Sequence, residues 1–207
     1  MEDTQVPYES TRPPQLIEKL KEKSINDKKL NWKEIFKEIL FLLFVIFGIV
    51  LPFRMYVAEP YLVDGRSMDP TFETGNYLIV DKISDTAKNP ERNAVVVFKY
   101  PNNPSKNFIK RIIGLPGETV IVKGDTVKII NTENPKGFML DQSYVTHKYT
   151  QDAEVTLSQD EYFVMGDNRE DSFDSRYWGA LNKKYILGKP IIQLLPFTDI
   201  KLTPGKI

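Results

Sequence analysis

The sequence predicts a mainly β domain behind one transmembrane α-helix. Three observations carry this. Ile39 to Phe53 (ILFLLFVIFGIVLPF) holds no charge. From Glu59 onward, short β-branched and aromatic runs recur between turn residues. Outside the apolar run no long amphipathic helix pattern occurs. The β part is expected to form a curled sheet or partly open β-barrel with a smaller inserted β subdomain. The expected layout is a cytoplasmic tail over 1–37, an anchor over 38–58, a β-rich core from 59–130 and 160–207, and the inserted segment over 131–159.

The anchor comes first. Extending the uncharged run to Ala58 admits only Arg54, and a spanning helix needs roughly 17–25 mostly apolar residues. Arg54 would snorkel to the interface. A cleaved leader fits poorly, because the run starts nearly 40 residues in and Tyr56-Val57-Ala58 is no small-x-small site. A buried helix of a soluble domain is the other reading, and a run apolar on every face argues against it. Lys19, Lys21, Lys23, Lys28, Lys29, Lys33 and Lys37 precede the run, against Arg54 and Arg66 after it. This bias keeps the N-terminus cytoplasmic and puts the C-terminal part outside. Trp32 suits the cytoplasmic interface belt. Residues 1 to about 30, interrupted by Pro7, Pro13 and Pro14, read as a tail.

The strands follow. Tyr77 to Val80 and Ala94 to Tyr100 are buried-type runs. Phe108 to Leu115 alternates and stops at Pro116-Gly117. Thr119 to Val122 and Thr126 to Ile130 flank Lys123-Gly124-Asp125, a hairpin turn. Tyr162 to Met165 and Ile191 to Leu195 complete the set. The polar stretch Asn131 to Gln159, which holds His147, is the inserted segment; His147 reads as a surface residue. Trp178 is expected to pack in the core.

Composition narrows the chemistry. The 28 basic and 28 acidic side chains cancel, which disfavours a globally basic nucleic-acid binder. The absence of cysteine excludes disulfides, thiolate metal ligands, iron–sulfur clusters and a Cys nucleophile. The single histidine excludes a multi-His metal site and leaves His147 as the one base for a triad.

Three stretches can carry chemistry. Gly65-Arg66-Ser67-Met68-Asp69-Pro70-Thr71 follows the strand-like Tyr61-Leu62-Val63 and can present a serine hydroxyl on a short loop. Taken alone it reads as a turn. In Phe108-Ile109-Lys110-Arg111-Ile112-Ile113, strand alternation puts Lys110 on one face with Phe108 and Ile112. Burial of that lysine would lower its pKa. At ~10.4 only about 0.04% of lysine is neutral at pH 7, whereas at ~8 about 10% is, enough for a general base. A snorkelling, exposed lysine is the alternative. Gly166-Asp167-Asn168-Arg169-Glu170-Asp171-Ser172-Phe173-Asp174-Ser175-Arg176 is a charged loop after a strand. Its spacing is not that of an EF-hand and it contains arginines, so it reads as a loop shaped by its own ion pairs, presenting Ser172.

Together and in this order, Gly65-x-Ser67-Met68-x-Pro70-Thr71, Lys110 to Glu118 (KRIIGLPGE) and Gly166-Asp167-Asn168-Arg169-x-x-Ser172-x-Asp174-Ser175-Arg176 resemble the bacterial type I signal peptidases, or leader peptidases, of the single-anchor kind. The resemblance covers the chain from the anchor to Arg176 and continues toward its end. It implies a membrane-bound serine endopeptidase that removes signal peptides from exported precursors after a small-x-small site, through an acyl-enzyme. It implies Ser67 as nucleophile, Lys110 as general base and Ser172 as the hydroxyl that orients the lysine. Arg111 with Asp167, and Asp174 with Arg176, match structural ion pairs. Val63, Phe72, Phe108 and Ile109 match substrate-pocket positions; Asp64, Gly65 and Met68, beside the nucleophile, are further candidates for substrate contact. The Ser67 backbone amide can donate to the oxyanion. Some members carry a serine two positions before the nucleophile as a second donor; here that residue is Gly65, so the second donor is unassigned.

The resemblance further implies no cofactor or metal, no nucleic acid, and three partners: secretory precursors, the lipid bilayer and the export translocon. The implied location is the bacterial cytoplasmic membrane, single-pass, with the catalytic domain on the outer face. Self-cleaving SOS-response repressors share the Ser/Lys core but carry a DNA-binding domain where this chain has an anchor. Eukaryotic-type signal peptidases use histidine in place of lysine. A non-catalytic, membrane-anchored β module that binds exported chains is the alternative outside enzymes.

Overall fold

The computed structural model describes residues 31–146 and 151–206. His147 and the tail before Asn31 lie outside these residues. The chain divides into two units, Met1–Leu51 and Pro52–Ile207.

In the first unit, helix α1 (Trp32–Val45) runs into a π-helical turn, Ile46–Val50; α2 (Leu51–Tyr56) follows and belongs, but for Leu51, to the second unit. The helical stretch Trp32–Arg54 is 23 residues. At 1.5 Å per residue it is about 35 Å long, enough for the ~30 Å hydrocarbon core of a bilayer. Neither α1 nor the π turn has a buried residue. A core helix of a soluble domain would bury one face, so a membrane anchor fits and a core helix does not.

The second unit is β-rich. Its strands in chain order are β1 (Ala58–Leu62), β2 (Tyr77–Asp81), β3 (Val95–Tyr100), β4 (Asn103–Gly114), β5 (Thr119–Lys123), β6 (Thr126–Ile130), β7 (Phe138–Met139), β8 (Ala153–Thr156), β9 (Glu161–Met165), β10 (Leu181–Asn182), β11 (Ile186–Leu195) and β12 (Lys201–Leu202). Short helices α3 (Asp85–Lys88) and α4 (Ser175–Trp178) interrupt them. The large sheet runs β1-β2-β11-β3-β4-β9-β10, with β12 added to β11, and does not close into a barrel. The second sheet runs β7-β6-β5-β8. Every recorded strand pair is antiparallel.

The expected boundary of the inserted segment, 131, cuts through this second sheet. The β5–β6 hairpin, expected within the core, forms its centre: Lys123 pairs with Thr126 across the turn, and β8 returns to pair β5. By strand pairing the small sheet starts at Thr119. Its apolar face packs on the large sheet in one cluster, with Val120, Val122, Val127 and Ile129 meeting Ile113, Phe163 and Met165.

Two further clusters shape the functional face. Val96, Phe98, Ile112, Tyr162 and Val164 fill one side of β3, β4 and β9, with Trp178 packed against them. Val63, Met68, Phe72, Leu78 and Val95 fill another, with Ile109 against them. Strand β4 changes character along its length: Asn103–Asn107 are exposed, while Lys110–Gly114 are buried. The twelve-residue strand thus starts exposed, with Lys106, and ends buried, with Lys110 and Arg111.

Candidate active site

The three motifs meet. The loop after β1 carries Ser67, β4 carries Lys110, and the segment after β9 carries Asp167 to Arg176. Lys110 Nζ lies 2.5 Å from Ser67 Oγ and donates to the Ile109 carbonyl at 3.0 Å. Backbone pairing explains how Lys110 is placed: it sits opposite Val96 on β3, in the middle of the ladder. Only 4% of Lys110 is exposed. Burial pushes its amine down to about 8, against the Asp174 and Asp167 carboxylates, which pull it up. Part of the lysine is therefore neutral near pH 7 and can accept a proton from the adjacent hydroxyl.

The Ser67 loop is tied at several points. Thr74 Oγ1 accepts from the Gly65 N–H at 3.0 Å and donates to its carbonyl at 3.1 Å. The Ser67 carbonyl accepts from Asn168 N–H at 3.1 Å. That contact demands a glycine next door. A Cβ on Gly166 would come within 2.3 Å of both the Ser67 carbonyl oxygen and Ser172 Oγ. Gly166 lets the third motif lie directly against the serine loop.

Both expected ion pairs form, each buried. Arg111 Nε and Nη2 donate to Asp167 at 2.8 and 2.5 Å, a bidentate pair, and Thr71 Oγ1 donates to the same carboxylate at 2.6 Å. Arg176 Nε and Nη2 donate to Asp174 at 2.8 and 2.9 Å. Asp174 Oδ2 also accepts from Gly166 N–H at 3.0 Å and from Ser172 Oγ at 2.7 Å. The Ser172 hydroxyl, expected to orient Lys110, spends its proton on Asp174, and the hydrogen bonds of the Lys110 amine go to Ser67 and the Ile109 carbonyl. A carboxylate two residues away is the stronger acceptor, and it takes the hydroxyl proton.

A cleft of about 310 Å³ runs beside Ser67 and Lys110. Val63, Asp64, Gly65, Phe108 and Ile109, expected at substrate positions, line it. Met68 and Phe72 do not; they are 1% and 0% exposed, in the cluster behind the serine loop. Their large side chains found more apolar area to bury behind the loop than along an open groove. The cleft gains walls that sequence reasoning did not pick. Leu78 and Val97 are among its lining residues, and Asp171 and Phe173 contribute from the third motif. Leu78 and Val97 lie in the runs read as buried-type strands, a pattern that marks burial and not which residues face a cleft. Thr71 and Asn168 were inside quoted motifs without a role. Tyr144, whose ring lies 4.6 Å from the Arg111 guanidinium carbon, had no sequence signal.

Among the described residues, no group of three or more His, Asp or Glu side chains is disposed to hold a metal ion. The arrangement has a hydroxyl, a depressed amine at hydrogen-bond distance and an adjoining groove. It can perform nucleophilic acyl transfer.

Comparison with known proteins agrees with this chemistry. The model of the family described as signal peptidase, peptidase S26, matches residues 36–195. A probable signal peptidase I-2 of Synechocystis sp. is 33% identical over 196 residues, covering 90% of this chain and 84% of the relative. A signal peptidase I of Bacillus licheniformis is 33% identical over 183 residues, covering 86% of this chain and 98% of the relative. A crystal structure of a signal peptidase I from Enterococcus faecalis is 34% identical, covering 48% of this chain and 95% of that one, with a TM-score of 0.41.

Proposed function

The chain belongs to the S26 signal peptidase family, and from that premise we propose that Ser67 and Lys110 carry its reaction. It is a bacterial type I signal peptidase, a serine-type endopeptidase that removes N-terminal signal peptides from exported proteins. The observation that carries the residue assignment is the 2.5 Å approach of a buried, depressed lysine amine to a serine hydroxyl.

The reaction proceeds in two halves. The precursor lies extended along the cleft, with alternate side chains entering it. Neutral Lys110 takes the Ser67 proton as Oγ attacks the scissile carbonyl. The Ser67 backbone amide donates to the developing oxyanion. The lysine ammonium then protonates the leaving amine, and an ester links Ser67 to the signal peptide. Lys110, neutral again, deprotonates a water that hydrolyses this ester and regenerates the hydroxyl. Arg111–Asp167 and Arg176–Asp174 hold the walls in place. Ser172 acts on Lys110 through Asp174.

The apolar helix fits a membrane-anchored enzyme. The lysine bias before it supports an N-terminus in the cytoplasm, with residues after 58 on the outer face. The lipid bilayer is then a partner, and the export translocon a source of substrate. Reporter fusions after residue 30 and after residue 60 test the orientation; activity of an exported-only reporter at 30 would reverse it.

The test of the site is cleavage of a secretory precursor in detergent by the wild type, Ser67→Ala and Lys110→Ala across pH 6 to 10. The expected result is cutting after a small-x-small site by the wild type and no turnover by either variant. Retained activity in Lys110→Ala would overturn the assignment.

A further inference from the structure

Strand β12 pairs Leu202 with Ile192, and Thr203 N–H then donates to the Ile191 carbonyl at 2.8 Å. The next two residues turn back under the active site. Pro204 is buried. Gly205 has φ +80°, and a Cβ there would meet Val95 Cγ2 at 2.8 Å and Phe72 Cε2 at 3.0 Å. Only glycine fits both the backbone and the space. Its carbonyl accepts from Arg111 Nη1 at 2.6 Å.

That bond completes a set. A guanidinium has five N–H groups in a fixed fork. The two on Nη1 go to the Asn93 and Gly205 carbonyls, at 2.7 and 2.6 Å, while Nε and Nη2 hold Asp167. Arg111 is 1% exposed, so water does not reach it to replace a lost acceptor. Asp167 stands beside Asn168, which holds the Ser67 carbonyl. Removal of the Gly205 acceptor would free the fork to rotate and leave the Asp167 charge less neutralised.

We propose that Gly205 is a positioning residue of the reaction: its carbonyl locks Arg111 against Asp167 and so holds in place the charges around Lys110. The inference rests on the reading of Ser67 and Lys110 as nucleophile and base. Lys110 is faced by Asp174, Asp167, Arg176 and Asp171. Of these, Asp167 is the one whose counterion depends on the strap. A looser Arg111 makes Asp167 more strongly negative at the lysine. This favours the ammonium form, so the pH at which the enzyme switches on moves up.

The test is steady-state cleavage of a secretory precursor by the full chain in detergent, with kcat and KM followed from pH 6 to 10. The variants are Gly205→Ala, which pushes the strap away, and Lys206→Ala, which alters an exposed neighbour. Gly205→Ala is expected to move the acid limb of kcat up by about one pH unit, a roughly tenfold loss at pH 7, with KM within about twofold. Most of the rate should return at pH 10, which a merely unfolded fraction would not show. Lys206→Ala should match the wild type. An unshifted limb in Gly205→Ala, or an equal loss at every pH, overturns the proposal. If Gly205→Ala fails to fold, Pro204→Gly loosens the strap without adding atoms and must show the same upward shift; an unshifted limb there overturns it. Lys110→Ala in the same assay separates the two readings. Activity there sinks the Ser67–Lys110 assignment, whereas an inactive Lys110→Ala beside an unshifted Gly205→Ala sinks the strap alone.

Discussion

The Ser172 hydroxyl donates to Asp174 Oδ2 at 2.7 Å. Asp174 is in turn the largest of the charges acting on Lys110. Ser172 therefore reaches the lysine through a carboxylate whose charge it helps to satisfy. The sign of the Ser172→Ala effect tells this relay from a direct bond. Loss of the donor leaves Asp174 more strongly negative, which favours the lysine ammonium and moves the acid limb of kcat up. A hydroxyl accepting directly from the ammonium would, when removed, move the limb down. The expected shift is upward, roughly half to one pH unit and a several-fold loss of kcat/KM at pH 7. A pH–rate profile of Ser172→Ala decides it.

The wild-type profile has its own expectation. Burial places the Lys110 amine at about 8, so kcat/KM should climb through about pH 8 and level off above it. A limb near ~10.4, the value of a solvated lysine, would mean the amine is not buried in the free enzyme.

The same burial shows in stability. Between about 8 and the ~10.4 of an unfolded lysine, the unfolded chain holds a proton that the folded chain does not. Stability contributed by this group therefore rises with pH through that window. At pH 7 both states are protonated, and the buried ammonium costs about 3 kcal/mol. Lys110→Met removes this cost and forfeits two hydrogen bonds of ~1 kcal/mol each, to Ser67 and to the Ile109 carbonyl. The variant should be about 1 kcal/mol more stable than the wild type at pH 7 and should lose that advantage toward pH 10. Urea unfolding at the two pH values measures it; an advantage that grows with pH contradicts the burial.

The Arg111–Asp167 pair separates a charge-pair loss from a hydrogen-bond loss. Arg111→Ala leaves a fully buried carboxylate without its counterion and should cost about 3–5 kcal/mol. Thr71→Val removes the 2.6 Å bond to the same carboxylate and a long 3.5 Å one from Arg111 Nη2, for about 1–2 kcal/mol. Equal losses in urea titrations would mean that Asp167 is not held mainly by the arginine.

Much of this was legible in the sequence, for a physical reason. The long strands announce themselves because the apolar area they bury dominates their composition, as in β3 and the inner half of β4. Lys110 between Phe108 and Ile112 signalled a desolvated amine by the same logic. Strands β7, β8, β10 and β12 were not legible: they are two to four residues long and take their conformation from a partner strand. That the small sheet reaches back to Thr119 was not legible, because a hairpin's sequence specifies its own turn and not which sheet it joins. Met68 and Phe72 sit beside the nucleophile in sequence, yet the loop turns them inward. Gly205 lies 94 residues from Arg111 and meets it through a backbone carbonyl, for which no side-chain identity codes.

Cleft selectivity provides the last test. Ile109 lines the cleft and is only half-buried, so shortening it widens the groove without opening a deep core cavity. Its neighbour Lys110 bonds to the Ile109 carbonyl and not to its side chain, so the base should be undisturbed. Ile109→Ala should therefore keep the pH profile and most of the rate on a precursor with Ala at the two small positions. On a precursor with Val at one of them, kcat/KM should rise about tenfold relative to wild type, the order expected when a pocket gains room for one or two methyl groups. Competition between the two precursors in one reaction reads the ratio directly. An unchanged ratio would mean that this wall does not touch the side chain being selected, and would shift the discrimination to Leu78 and Val97, which also line the cleft.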